Sequence, residues 1–196
     1  MTDWDDWAQQ WLAQGPAAVV PAPATGQREL RGQRVVVGLP GVGWRADLRG
    51  DDPVVQGSRT YVPVLAEHEW YRAEAEQVEV FAPLVPIERV WVETLEGPVP
   101  DRPGAAQPSR PAASLDAPVR RDAVPARDAH PVTGRRVVRL TDQGEQRDLR
   151  AVTEEYVGAD GDSYVRVARE LDWYRWAWNG RFPQTMEVPV SSLWAE

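Results

Sequence analysis

The sequence contains no cysteine and no lysine, and it contains only two histidines, His68 and His130. Without cysteine the chain has no disulfide framework, no thiol nucleophile and no cysteine-based zinc site. The two histidines are far apart in the sequence, so neither a histidine-rich metal site nor a Cys/His nucleophile is predicted. The glycines of segment 38–43 open a strand rather than a helix, which argues against a phosphate-binding loop. We therefore expect no enzymatic activity, no cofactor and no metal.

Long apolar runs and a basic N-terminal stretch are also lacking. No segment approaches the roughly 18 apolar residues of a membrane-spanning helix, and residues 1–6 do not resemble a secretory signal. We expect a cytoplasmic protein with no membrane partner. The net charge of -8 is not that of a non-specific nucleic-acid binder. A basic face on the more arginine-rich C-terminal part of the chain leaves a nucleic-acid partner open.

The most informative feature is an internal repeat, which has to be recognised before any fold is assigned. Tyr61 and Tyr164 mark its spacing of 103 positions. The matching segments occur in the same order in both copies: Gly32–Val36 and Gly134–Val138, Asp47–Arg49 and Asp148–Arg150, Tyr61–Val64 and Tyr164–Val167, Trp70–Arg72 and Trp173–Arg175, Val85–Glu93 and Val188–Glu196. The repeat predicts two modules of the same fold.

The domain boundaries follow from the repeat. We predict an N-terminal helix and extended arm at 1–31, a first module at 32–95, a proline- and alanine-rich linker at 96–133 and a second module at 134–196. Few aromatic residues occur in the linker, so it is not expected to bury enough apolar surface to fold. Modules this small bury a core only marginally, and the ten tryptophans of the chain meet that need.

The pattern within each copy is mainly β, with one helix. In the first copy, strands are predicted at 33–39, 44–48, 59–65 and 85–92, and a helix at 67–76. The second copy repeats this plan, with a helix at 169–178 that ends at Asn179-Gly180.

The N-terminal residues 2–14 are predicted to form a short amphipathic helix. Trp4, Trp7 and Trp11 fall on one face of it, and so short a helix is marginal in water unless it docks. Whether this face docks on the chain itself, on a dimer mate or on an external partner is left open.

The aromatic residues supply the remaining candidate sites. Trp70, Trp91, Trp173 and Trp194 occupy equivalent places and are predicted to be buried core residues. The candidate partner-binding residues share an aromatic ring able to sit half buried; they are Tyr61, Tyr71, Tyr164, Tyr174, Trp176, Trp178, Trp4, Trp7 and Trp11. Glu67 and Glu170 are interpreted as forming ordinary surface salt bridges with Arg72 and Arg175.

The segment Gly32-x-x-Val35-x-Val37, followed by a turn and Trp44-Arg45-Ala46-x-Leu48, resembles small SH3-like β-barrel modules of the Tudor, Agenet or KOW kind. In the second copy Gly134-x-x-Val137 matches, but Gln146-Arg147-Asp148 replaces the tryptophan part, so an aromatic cage common to both copies is not implied. The resemblance implies two non-catalytic barrels, each with an inserted helix, that recognise peptides or, in the KOW branch, transcription and translation machinery.

These observations predict an adaptor that binds a protein or peptide partner, with arginine- or proline-rich partners favoured by the acidic composition. Two weak binding modules on one chain gain avidity. Two alternatives stay open: a nucleic-acid- or RNA-polymerase-associated factor that uses the second module, and a structural or assembly protein, possible as a homodimer, whose repeats pack on each other.

Overall fold

The computed structural model describes residues 15–96 and 117–196. The fold is mainly β, as predicted, and consists of two curled sheets with one α-helix in each. Among the described residues, the first module comprises 19–96 and 117–120, and the second comprises 15–18 and 121–196. The predicted N-terminal helix, with Trp4, Trp7 and Trp11, lies outside the described residues.

Within residues 15–96 and 117–196, each module has seven strands and one α-helix. In the first they are β1 (Ala18–Pro23), β2 (Arg34–Leu39), β3 (Gly43–Gly50), β4 (Val54–Gln56), β5 (Arg59–Ala66), α1 (Glu67–Glu76), β6 (Leu84–Pro86) and β7 (Val90–Glu96). In the second they are β8 (Val124–Pro125), β9 (Arg136–Thr141), β10 (Gly144–Ala151), β11 (Tyr156–Val157), β12 (Ser163–Arg169), α2 (Glu170–Asn179), β13 (Thr185–Pro189) and β14 (Leu193–Ala195).

The two sheets have the same topology. The first has the order β1-β7-β2-β3-β5-β4 and the second has β8-β14-β9-β10-β12-β11, with β6 and β13 added to β5 and β12. The fifth strand causes the curl. Its first residues pair with β4 and β6, and its last residues pair with β3. A strand shared in this way bends the sheet around one core.

A β-bulge at the same place in both modules explains the repeated Asp-Leu-Arg segment. Asp47 and Asp148 both have φ of 58°, a left-handed conformation that aspartate tolerates better than most residues. The antiparallel register shifts there, between Val35/Val37 in one module and Gln146/Leu149 in the other. A bulge re-aims the side chains that follow it. Here the leucine after the bulge is buried in the core.

The core of each module is aliphatic, and the prediction of buried tryptophans was wrong. The first core contains Ala24, Leu30, Val35, Val37, Leu48, Val62, Val64, Val90 and Val92. The second contains Ala126, Ala129, Val132, Val137, Leu149, Ala151, Val165, Val167, Val188, Val190, Leu193 and Ala195. Trp70, Trp91, Trp173 and Trp194 are all half-buried instead. Trp91 stands between inward-facing Val90 and Val92, and neighbouring residues of a strand point to opposite faces.

The helices follow the fifth strand directly. Helix α1 has the predicted bounds, whereas α2 begins at Glu170 and ends at Asn179, one residue later at each end than predicted. Gln77 and Gly180 end the two helices in the left-handed conformation, the usual geometry after a helix C-terminus. None of the helices described is long and apolar enough to cross a membrane.

Residues upstream of Gly134 also belong to the second core. Ala126, Ala129 and Val132 are buried there, and β8 pairs with β14. The carboxylate of Glu154 accepts hydrogen bonds from the backbone N–H groups of Val132 and Thr133. A hydrogen bond from the Thr133 side chain, together with these two backbone bonds, lowers the pKa of Glu154. The packed part of the second module therefore starts within the segment 96–133.

Candidate binding surfaces

A buried ion network fixes the start of α1 in the first module. The Glu67 side chain is fully buried, and its Oε1 lies 3.3 Å from Nε of Arg34 and 3.2 Å from Nε of Arg49. The other guanidinium nitrogens of Arg49 donate to the carbonyl of Gly32 at 2.9 Å and to the hydroxyl of Tyr71 at 2.8 Å. The network thus joins β2, β3 and the first turns of α1.

The second module contains the same network. Oε1 of buried Glu170 lies 3.5 Å from Nε of Arg136 and 3.3 Å from Nε of Arg150. Arg150 donates to the carbonyl of Gly134 at 3.0 Å and to the hydroxyl of Tyr174 at 2.8 Å. Each residue of the network in the first module therefore has a counterpart with the same contacts in the second.

This network corrects the expected pairing of the two glutamates. Glu67 and Glu170 are not surface residues, and they pair with arginines of the sheet rather than with Arg72 and Arg175. Each of those two arginines forms a partly exposed ion pair within its own helix. The sequence pattern placed the glutamates on the helix but gave no signal for which helix face the sheet covers.

The network also holds Tyr71 and Tyr174 against its arginines. Both are half-buried, and the guanidinium carbons of Arg49 and Arg150 lie 5.3 Å and 5.4 Å from their ring centroids. Their hydroxyls accept the arginine hydrogen bonds, so these polar tips are used inside the module. Contact of these rings with a partner stays a prediction.

A surface that we call the tryptophan groove lies on the first module. It is a shallow cavity of about 230 Å³ lined by Gly38, Leu39, Pro40, Gly43, Trp44, Glu88, Arg89 and Trp91. The rings of Trp44 and Trp91 meet edge to face, with centroids 6.2 Å apart. Trp44 is 37% exposed, and Val42 in the adjoining turn is 80% exposed. The ring of Trp44 covers Gly38, where any Cβ would lie 2.9 Å from it.

In the second module the corresponding surface holds a piece of the chain itself. Gly15 is buried against the ring of Trp194, with a hypothetical Cβ only 2.9 Å from it. The amide of Ala17 donates to a carboxylate oxygen of Glu145 at 2.7 Å, and Arg147 donates to the carbonyl of Ala17 at 2.7 Å. Arg147 is itself held by ion pairs with Glu145 and with Glu196. Both backbone groups of one residue are therefore bound.

The strand residues explain why the two surfaces differ. β3 and β10 both have eight residues and carry the bulge at the same place, so Trp44 corresponds to Glu145 and Ala46 to Arg147. Trp91 and Trp194 are shared. The second module thus has one tryptophan and a charged pair that binds a peptide backbone, whereas the first has two tryptophans and no such pair at these positions.

Trp176 of α2, one of the predicted partner-binding residues, lies in an aromatic cluster. The ring of Trp176 lies 5.5 Å from Trp173 and 5.2 Å from Phe182, with edge-to-face geometry in both pairs. Phe182 is 61% exposed. Trp176 and Trp178 are both half-buried, and their contact with a partner stays a prediction.

Tyr61 and Tyr164 are half-buried on β5 and β12. The hydroxyl of Tyr164 donates to the carboxylate of Asp160 at 2.5 Å, which raises the pKa of Tyr164 to about 12 and lowers that of Asp160. The ring of Tyr164 lies 6.4 Å from that of Tyr156. The structure brings Tyr164 into a polar cluster, whereas Tyr61 makes no comparable hydroxyl or ring contact with residues of the described part of the chain.

Sequence reasoning did not single out Trp44, Trp91 or Phe182 as surface residues. The alternation Val90-Trp91-Val92 is the signal by which the outward direction of Trp91 could have been found.

Within residues 15–96 and 117–196, no group of three or more histidine and carboxylate side chains is arranged to hold a metal ion. Comparison of the chain with family models, curated proteins and solved structures found no match.

Proposed function

We propose that this protein is a non-enzymatic tandem binding protein whose first module binds an extended, proline-rich peptide in the tryptophan groove. The observation that carries this proposal is the binding of Gly15 and Ala17 to the equivalent surface of the second module. In that contact Gly15 lies against the ring of Trp194, and both backbone groups of Ala17 are bound by Glu145 and Arg147. The first module keeps the shared tryptophan and adds a second one.

The chemistry of the groove favours proline in the ligand. Two tryptophan rings at right angles offer flat apolar walls, and proline-rich segments are pre-ordered in the extended conformation that such aromatic grooves bind. Glu88 and Arg89 at the edge of the groove add one charge of each sign. An arginine next to the proline is compatible with Glu88.

We assign the finer fold to the SH3-like barrels of the Tudor, Agenet or KOW kind. Support comes from the curled seven-stranded sheet and from the fifth strand that pairs on both of its halves. A cytoplasmic adaptor with two such modules gains avidity when both engage one partner assembly. In this assignment the second module is already occupied by its own chain at the corresponding surface.

A titration of the isotope-labelled full chain with a synthetic proline-arginine peptide tests the proposal. We expect saturable shifts of the indole N–H signals of Trp44 and Trp91. The variant Trp44→Glu, which copies the residue of the second module and removes the Trp44 signal itself, should abolish the shift of Trp91. A matched control is Val42→Ala in the exposed turn, which should leave the signals intact. Shifts spread evenly over both modules, or unaffected by Trp44→Glu, would contradict the proposal.

The nucleic-acid alternative is tested by the same protein with single-stranded RNA and double-stranded DNA. Contacts with phosphates give affinities that fall steeply with salt. Binding of this kind, together with no response to the peptide, would favour a KOW-like factor. A concentration-dependent dimer without peptide binding would favour the assembly alternative.

A further inference from the structure

The first module has a second cavity, which we call the helix pocket, beside α1. It has a volume of about 380 Å³ and is lined by Arg31, Asp51, Leu65, Trp70, Ala73, Glu74, Gln77, Val78, Glu79 and Val80. This size falls in the range of ~300–1,000 Å³ typical of ligand sites. None of these residues belongs to the tryptophan groove, so the helix pocket is independent of the function proposed above.

The second module fills the corresponding space with its own side chains. From Tyr61 to Glu93 the two copies align without a gap at the spacing of 103. Trp176 therefore stands where the first module has Ala73, and Phe182 stands where it has Glu79. The ring of Trp176 packs edge-on against both Trp173, the counterpart of Trp70, and Phe182. The fold thus accepts aromatic rings next to this tryptophan when the sequence supplies them.

The wall of the helix pocket is acidic. Asp51, Glu74 and Glu79 contribute three carboxylates, against one cation, Arg31. Nε of Arg31 lies 3.9 Å from Oδ1 of Asp51, and Nη2 lies 3.9 Å from Oε1 of Glu74. The arginine side chain is 66% exposed. Exposed ion pairs of this length are weak, so a ligand cation competes with Arg31 at small cost.

The segment after α1 adds apolar surface at the edge of the pocket. Val78 is 44% exposed, and Phe81, which follows pocket residue Val80, is 89% exposed. Exposed large apolar residues beside a cavity are typical of interaction sites. In the second module the same stretch carries Arg181 followed by Phe182, a cation next to the aromatic ring that packs on the helix.

We propose that the helix pocket binds an aromatic side chain of a partner peptide that carries an adjacent arginine. The aromatic ring takes the space that Trp176 and Phe182 occupy in the second module, against Trp70. The arginine faces Asp51, Glu74 and Glu79. The second module thus supplies the aromatic ring from its own chain, whereas in the first module a partner peptide supplies it.

The probe is the peptide acetyl-Gly-Arg-Phe-Pro-Gln-amide, which reproduces residues 180–184 of the second module. Titrated into the isotope-labelled full chain, it should give saturable shifts of the Trp70 indole N–H signal and of the amides of Ala73 and Val78. Replacing the phenylalanine of the peptide with alanine should weaken binding at least about tenfold, as expected for an aromatic anchor. Equal binding of the two peptides, or no saturable shift, overturns the proposal.

Two variants of the chain make the test specific. Ala73→Trp fills the pocket as the second module does and should abolish the shifts; Ala73→Leu serves the same purpose if the tryptophan variant does not fold. Trp44→Glu should leave peptide binding to the helix pocket unchanged. Retained binding by a folded Ala73→Trp protein contradicts the proposal, whereas failure of the tryptophan groove alone does not affect it.

Discussion

The two modules share their buried charges and their backbone turns and differ in the surfaces beside two shared tryptophans. Glu67 and Glu170 make the same contacts with the same strands. Beside Trp91 the first module is open, whereas the second covers Trp194 with Gly15. The comparison indicates which residues the fold itself needs, because those residues keep their contacts in both copies. The two surfaces that differ, beside Trp91 and beside Trp70, are the ones at which we propose that the first module binds its partners.

The clearest way to break this comparison is to remove a shared buried charge. Glu67→Ala leaves Arg34 and Arg49 facing each other without the carboxylate between them. Loss of one partner of a buried ion network costs about 3–5 kcal/mol. We therefore expect the free energy of unfolding of the first module, measured by denaturant titration, to fall by that amount. Glu170→Ala should do the same to the second module.

The control for this prediction is Arg72→Ala. Its ion pair with Glu76 has a Nε–Oε2 distance of 3.0 Å, but the arginine side chain is 59% exposed, and such pairs contribute about 0.3–0.5 kcal/mol. If Glu67→Ala were as mild as Arg72→Ala, the glutamate would not be a structural centre of the module.

A second test exchanges the residues that distinguish the helix pocket from its filled counterpart. Trp176→Ala gives the second module the residue of the first, and it removes the ring that joins Trp173 to Phe182. We expect a loss of about 2 kcal/mol in the free energy of unfolding, less than for a fully buried tryptophan, because the ring is half-buried. Thermal and urea unfolding measure it. An unchanged free energy of unfolding would mean that the aromatic cluster does not stabilise the second module.

The sequence was sufficient for the repeat, the mainly β fold and α1. It was insufficient where a decision depended on which face a residue presents. Trp91 was assigned to the core because of its size, yet its neighbours Val90 and Val92 already occupy the inner face. Glu67 was interpreted as the partner of Arg72 in a surface salt bridge, but it is buried, and Arg34 and Arg49 of the sheet compensate its charge.

The alignment of Trp44-Arg45-Ala46 with Gln146-Arg147-Asp148 was wrong by one residue. The bulge at Asp47 and Asp148 makes Glu145 the counterpart of Trp44, in agreement with the repeated Asp-Leu-Arg segment. A local pattern does not show a bulge directly. The contact of Gly15 with Trp194 spans almost the whole chain, and no periodicity of one segment predicts a contact of that range.

A third test concerns the segment that covers Trp194. Gly15 has φ of +71° and lies against the ring, so Gly15→Ala introduces both backbone strain and a clash. We expect the second module to lose about 1 kcal/mol or more and the Ala17 amide to exchange faster with solvent. Gly41→Ala is the matched control, because φ is +73° but no atom lies within 4 Å of the added Cβ. If both changes lowered the stability equally, backbone strain alone would explain the loss, and the contact with Trp194 would contribute nothing.

The smallest expected effect comes from Tyr164 and Asp160, a pair that belongs to the longer turn of the second module. The first module has the tight turn Gly57-Ser58 at this place. The hydrogen bond to Asp160 raises the pKa of Tyr164 from 10.0 to about 12. The folded state therefore keeps a proton that the unfolded state releases, so the stability from this bond is present below pH 10 and is lost as the pH rises towards 12.

Asp160→Asn isolates this contribution. Removing the carboxylate should move the titration of Tyr164, followed by the chemical shifts of its ring, down towards its ordinary pKa. The variant should also lose stability less steeply than the unmutated chain between pH 10 and pH 12, by a small amount because the hydrogen bond is exposed to solvent. At the acid end the lowered pKa of Asp160 has the opposite sign: its stabilising effect is present above the ordinary pKa of 3.8 and is lost as the pH falls below it. A Tyr164 titration that does not respond to Asp160→Asn would show that the hydrogen bond is not formed in solution.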